Sequence, residues 1–224
     1  MARPRTHDLD ALLDVAEQIV TSTGPSGLTL RQLATQAGVS NGSIYHAFSS
    51  KEELLARVWA RAAHRMFTAM AERVTATLTE APTVGESAID AVVAAALCPV
   101  EFAVEHPAAA RLFFMQRRDQ LLSETLPSSV SDELEAIQSE FTKLLITLAH
   151  ARWTRRDRVA VDAIATCVVD LPGGLIRRKL LAGDALGDQT RAQIAVACRA
   201  ILALELPPAH PKTATNDPGQ ETRP

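Results

Sequence analysis

Residues 28–55 read LTLRQLATQAGVSNGSIYHAFSSKEELL, and this stretch decides the fold. Thr29 followed three residues later by Gln32 is a capping-box pattern, in which the hydroxyl accepts from a free backbone N–H and the glutamine reaches back. Behind that cap Leu30, Leu33, Ala34 and Ala37 recur at spacings of three and four, the face of a short buried helix. Gly38 stands where the chain must turn and where a positive φ comes at little steric cost. Val39 then offers an apolar plug between two helices, and Ser40 is an N-cap for a second helix over 41–48. Its first turn, Asn41, Gly42 and Ser43, is small and polar where a helix presents unpaired N–H groups to an anion. Ile44 and Phe48, four apart, are its buried side, which leaves Tyr45 and His46 outside. A short helix, a glycine turn and a second helix with a close-approach N-terminus form a helix-turn-helix, which lays its second helix in the major groove. Ser50 and Glu53 make a further capping box for the helix that follows.

Leu28-Thr29, Ala34, Ala37-Gly38-Val39-Ser40, Gly42, Tyr45, Phe48, Lys51 and Leu54 together resemble the DNA-binding signature of the TetR family of bacterial transcriptional regulators. The resemblance is specific over the N-terminal part of the chain. It implies an all-α protein: a three-helix helix-turn-helix DNA-binding domain over 1–54, a fourth helix at 50–79 linking the domains, and a larger helical domain over 84–206 that binds a ligand and dimerises through its last helices. It also implies that Thr29, Tyr45 and Lys51 hold phosphates and that Asn41, Ser43 and His46 face base edges. Gly42 would allow close approach, and Arg31 and Ser40 belong to the same face. The partners so implied are a palindromic double-stranded operator, a second copy of the chain and a small, mainly apolar effector that releases a repressor from DNA.

The composition agrees with an all-α reading. Of 224 residues 47% are hydrophobic and only 4% aromatic, alanine and leucine abound, and alternating β-branched runs are hard to find. No apolar leader opens the chain and no run approaches bilayer-spanning length, so a cytoplasmic, membrane-free protein is expected. Cys98, Cys167 and Cys198 lie apart among apolar neighbours and read as buried thiols rather than metal ligands or redox pairs. His64, His106 and His150 have no coordination spacing, and no cofactor motif is visible. The net charge is −3, and residues 1–54 hold four basic side chains against six acidic ones. Specific DNA binding must therefore lean on helix ends, hydrogen bonds and dimeric register more than on a basic patch.

Outside the motif, Arg3 and Arg5 sit on a short polar arm that is either disordered or inserted in a minor groove. Leu9, Leu12, Leu13, Ala16, Ile19 and Val20 stripe a first helix that Gly24-Pro25-Ser26-Gly27 ends. Later helices are expected at 85–98, 107–120, 131–153, 157–171, 175–182 and 189–206, with Cys98-Pro99 and Leu171-Pro172-Gly173-Gly174 as breaks that end helices or open space for a ligand. Residues 207–224, proline-rich without large apolar side chains, read as a disordered tail. Met66, Met70, Phe102, Phe113, Phe114 and Phe141 are candidate ligand walls, and Asp170, acidic before the second break, is a candidate polar contact or cap. The arginines at 152, 155, 156 and 158 flank a turn or meet an acidic ligand. No Ser/His/Asp set, paired carboxylate or metal spacing supports catalysis; the competing reading is an all-helical binding protein or enzyme in which the motif is scaffold.

Overall fold

The structure is a computed structural model, which describes residues 6–80, 84–115 and 126–209. Every regular element among the described residues is helical. The expectations for the arm with Arg3 and Arg5 and for nearly all of the C-terminal tail lie outside the described residues.

Helix α1 (Thr6–Thr23) ends at Gly24, whose φ is +76°, and a single 3-10 turn, Pro25–Gly27, leads into α2 (Leu30–Ala37). The Gln32 N–H donates to Thr29 Oγ1 at 3.1 Å, so the first half of the expected capping box forms. Gly38 closes the helix in the left-handed region at φ +67°, and its N–H with that of Val39 covers the last carbonyls of α2. A residue with a Cβ would be strained there. Helix α3 (Asn41–Ala47) follows with Ser40 Oγ accepting from Ser43 N–H at 3.1 Å. Ile44 and Phe48 are fully buried, as the spacing predicts. Val39, however, is 39% exposed and plugs nothing: the turn is closed by backbone hydrogen bonds, which leave its side chain outward.

Helix α4 (Lys51–Glu80) is thirty residues long and serves two cores. Leu54, Val58, Trp59 and Ala63 join α1–α3, whereas Ala62, Met66, Met70 and Val74 join the C-terminal bundle. That bundle comprises α5 (Val84–Glu105), α6 (Pro107–Met115), α7 (Ser128–Trp153), α8 (Arg158–Ala165), α9 (Leu171–Ala182) and α10 (Asp188–Leu202). Its helices α6 and α7 also send Leu112, Val130, Leu134 and Ile137 into the N-terminal core.

Neither expected break is a break. Helix α5 continues through Pro99, with Ala95, Ala96, Val100, Phe102 and Ala103 buried on both sides of it. That burial outweighs the one backbone bond a proline removes. At the second site, helices α8 and α9 are joined by a π-turn, Thr166–Asp170, in which Leu171 N–H reaches Thr166 O. The wider turn inserts one residue ahead of Pro172 and relieves the clash that a proline ring makes with the preceding turn. Residues 158–182 therefore form one continuous helical rod, with no ligand space opened by Pro172. Two helical stretches, Ser87–Glu105 and Arg158–Ala182, are consequently long and apolar enough to cross a membrane by length and composition, contrary to the expectation from the sequence. The first is a core helix, two-thirds buried in the bundle; only a third of the second is covered.

At the junction of α3 and α4, Glu53 is 4% exposed. Its carboxylate accepts the Ser49 N–H at 2.8 Å, the Ser49 hydroxyl at 2.6 Å and Arg57 Nε at 2.9 Å, while its own N–H caps onto Ser50 Oγ. The carboxylate thus reaches Ser49, one residue before the cap. Burial works to raise the Glu53 carboxyl, but the hydroxyl and amide of Ser49 and the Arg57 guanidinium outweigh it and hold it below the ordinary 4.5. A depressed folded value stabilises above the unfolded one, and the contribution is lost as pH falls through the folded value. Glu53→Gln is therefore expected to cost about 2 kcal/mol at pH 7 in urea unfolding. The deficit relative to the wild type should close only as the pH is taken below 4.5.

Candidate nucleic-acid interface

The interface is set by which side of α3 is held and which is free. Ile44 and Phe48 lock one side into the N-terminal core, so the first turn and Tyr45 must face outward. Tyr45 is 62% exposed, an unusual amount for the chain's single tyrosine on a helix this firmly packed. Asn41, Gly42, Ser43 and His46 share its exposure. Thr29 and Arg31, at the start of α2, are exposed as well.

The hydroxyls here are already oriented. Ser40 Oγ accepts the Ser43 N–H and lies 2.9 Å from Ser43 Oγ, and Thr29 Oγ1 accepts from Gln32. A hydroxyl that accepts still carries a proton to donate, so a capping Ser or Thr can give that proton to a phosphate oxygen. Lys51, the first residue of α4, is half-buried and reaches the Ser26 carbonyl at 3.4 Å, which fixes its ammonium beside the turn that precedes Thr29. The nine expected positions thus lie in and around α2, α3 and the start of α4, all on exposed or half-exposed side chains.

Gly42 is informative because its fold does not require it. A Cβ built there meets only Ser40 Oγ, at 3.7 Å, and the φ is not in the left-handed region. Glycine in a helix is less favourable than alanine by roughly 0.5–1 kcal/mol, so an internal reason for it is lacking. An external one, a backbone brought against a duplex, fits the exposed position.

Three of the six acidic residues of this domain, Asp14, Glu17 and Glu53, are engaged in ion pairs. Arg61 pairs with Asp14 at 2.9 Å and with Glu17 at 2.6 Å, Arg65 approaches Glu17 at 3.4 Å, and Arg57 pairs with Glu53. Arginines on α4 therefore pair with Asp14 and Glu17 of α1, and they lie beyond residue 54, outside the sequence window that reads as acidic.

The expected ligand-binding residues do not converge. A hollow of about 450 Å³ opens between α4 and α7 with Phe67, Ile137, Phe141 and Leu144 in its wall; of the expected set it contains only Phe141. Met66 and Phe102 border a second, smaller hollow of about 100 Å³ beside Arg73 and Cys98. Met70 is packed in the interior, and Phe113 stacks on Trp59 with ring centroids 5.0 Å apart and meets Phe114 edge-on. Asp170 is exposed on the π-turn and makes no capping hydrogen bond. Three of the four arginines near the α7–α8 turn have partners within the chain: Arg152 donates to Leu202 O, Arg155 to Asp157 and Pro207 O, and Arg158 to Asp162. The Arg155 guanidinium holds the Asp157 carboxyl down at about 2. All three cysteines are free and buried, and burial pushes the Cys98 thiol up to about 11. The signal for the α4–α7 hollow is legible in the sequence as a single helical face, Glu133, Ile137, Glu140, Phe141 and Leu144, that mixes acidic and apolar residues.

Residues 12–58 match the family model of bacterial regulatory proteins of the tetR family. An uncharacterized HTH-type transcriptional regulator from the dhlA 5' region of Xanthobacter autotrophicus is 40% identical over 63 residues, 28% of this chain. The match spans about a third (31%) of that relative's own length. Among solved structures, a tetR-family regulatory protein from Rhodococcus RHA1 superposes with a TM-score of 0.63 at 17% identity, covering 88% of this chain and 96% of its own. The fatty acid degradation regulator FadR from Bacillus halodurans superposes at 0.60 with 13% identity, covering 89% and 97%. Residues 12–58 thus match a tetR-family helix-turn-helix, and the chain as a whole shares its all-helical fold with these solved structures.

Two sides of one short helix should respond oppositely to substitution. Phe48→Ala is expected to lose about 3–5 kcal/mol of stability, whereas Tyr45→Ala should shift it by less than about 0.5 kcal/mol. Gly42→Ala should match or exceed the wild type in thermal melting.

Proposed function

We propose that this TetR-family regulator is a homodimeric repressor that reads a palindromic operator through Asn41, Ser43 and His46, holds phosphates through Thr29, Arg31, Ser40, Tyr45 and Lys51, and leaves DNA when a small, mainly apolar molecule binds its C-terminal domain. The observation that carries the DNA contact is the exposed, pre-oriented first turn of α3 with a glycine the fold does not need. Backbone approach of that kind positions a recognition helix in the major groove.

Dimerisation is supported by uncovered apolar surface at the C-terminal end. Val169 and Leu181 on the 158–182 rod, Val196 on α10 and Leu204 just after it are 40–70% exposed. A long apolar helix only one-third covered needs a partner, and an isologous contact with a second copy covers it on both chains at once. Two recognition helices related by a two-fold axis would then meet two half-sites. A cytoplasmic location follows from this role.

The first test is retention of fragmented genomic DNA by the purified protein at physiological salt. Enrichment of a palindrome supports the reading; a folded dimer that retains no sequence overturns it. On the enriched site, Gly42→Ala, Tyr45→Ala and Lys51→Ala should each weaken binding at least tenfold without loss of folding. The salt dependence is a further check. Arg31 and Lys51 in two protomers neutralise four phosphates and give a log–log slope of roughly −4; engagement of Arg3 and Arg5 would steepen it to roughly −7.

A further inference from the structure

The hollow between α4 and α7 combines an aromatic and aliphatic wall with an acidic rim. Phe67 and Phe141 stack at 4.2 Å between ring centroids, Ile137 and Leu144 extend that wall, and Ala71 and Ala136 leave the space open. The hollow spans His64 to Glu72 on α4, roughly 12 Å at the helical rise of about 1.5 Å per residue. Its volume of about 450 Å³ falls in the range of small-molecule sites.

All three of its rim charges, Glu72, Glu133 and Glu140, are carboxylates. Their pairing is incomplete. Glu140 meets Lys143 in an exposed contact at 2.7 Å, Glu133 meets Arg57 only at 3.9 Å, and Glu72 forms no ion pair among the described residues. An apolar wall with a surplus of negative charge at its edge is complementary to a molecule with an apolar body and a positive head. We infer that this groove binds a lipophilic cation, an amine or quaternary ammonium carrying an alkyl or aryl body.

The position of Glu133 connects the groove to the DNA-facing end. Glu133 pairs with Arg57, Arg57 donates to Glu53, and Glu53 holds the N–H and hydroxyl of Ser49, the residue after Phe48. A cation at the rim competes for Glu133 and loosens a polar chain that ends beside the recognition helix. This consequence rests on the regulator reading proposed above; the binding itself does not.

The test separates the two. Octyltrimethylammonium, 1-octanol and octanoate, which share one alkyl chain, are titrated into the full-length dimer below aggregation concentrations, without DNA, by calorimetry. Fluorescence of Trp59, isolated by Trp153→Phe and joined to Phe67 through Phe113, reports occupancy of this groove. The expected result is saturable binding of the cation about tenfold tighter than either analogue, weakened about three- to fivefold by Glu72→Gln or Glu140→Gln. Ala136→Leu, which fills the groove at an exposed position, should abolish it. Equal or tighter binding of the alcohol or the carboxylate overturns the cation assignment. Absence of saturable binding by all three overturns the site, and a change of oligomeric state in Ala136→Leu identifies a second copy as the occupant and overturns it as well. Release is then measured on the enriched operator: cation binding without release leaves the site standing and removes only the regulatory reading.

Discussion

One helix belongs to two cores, and the rest of the molecule depends on that constraint. Helix α4 runs uninterrupted from Lys51 to Glu80, with Leu54, Val58 and Trp59 buried among α1–α3 and Met66, Met70 and Val74 buried in the bundle. A helix transmits position rigidly because each turn is bonded to the next. The Arg61 bridges to Asp14 and Glu17 and the Glu53 cluster bind its first half to the helix-turn-helix unit. The N-terminal domain therefore cannot reorient without moving α4 against the bundle. Leu112, Leu134 and Ile137 strengthen the link by placing bundle residues directly in the N-terminal core.

Local chemistry made the helix-turn-helix legible. Thr29, Gly38, Ser40 and Ser50 act within three or four residues of themselves, so caps and a left-handed turn can be read without knowing the fold. The same holds for Ile44 and Phe48, whose spacing names their face. Val39 does not fill the plug its position suggests, because burial at a turn depends on how the backbone closes, and here hydrogen bonds close it. Pro99 and Pro172 depart from the sequence expectation for a different reason. A proline's local cost is fixed, but whether the helix bends, ends or widens is decided by packing many residues away and, at 166–170, by a π-turn that no local pattern announces.

The candidate ligand site shows the same division. Residue type points to the aromatics, yet Phe113 and Phe114 fill space and Met70 is packed solid, while the open groove is walled partly by alanines. Space between helices arises where side chains are small, and a missing side chain is a weak signal in a chain rich in alanine. Asp170 stands before an expected break that the folded chain does not contain, and it is exposed. The acidic balance of residues 1–54 is in part a boundary effect, since the arginines that pair with Asp14, Glu17 and Glu53 lie just beyond the window, at 57, 61 and 65.

Geometry explains why a groove midway along α4 is well placed to influence DNA contact. Seventeen residues separate Thr68, in the groove wall, from Lys51, which is roughly 25 Å at the rise of an α-helix. A tilt of roughly 5° about the groove moves the far end by roughly 2 Å, several times the window of roughly 0.5 Å within which a side chain holds a hydrogen bond to a base edge. In a two-fold dimer the displacement is repeated on the second chain with the opposite sense, so the spacing of the recognition helices changes by twice that amount. An occupant of the groove therefore needs only a small preference for one α4–α7 spacing over another. That preference is also the upper limit of its effect on the proposed DNA contact.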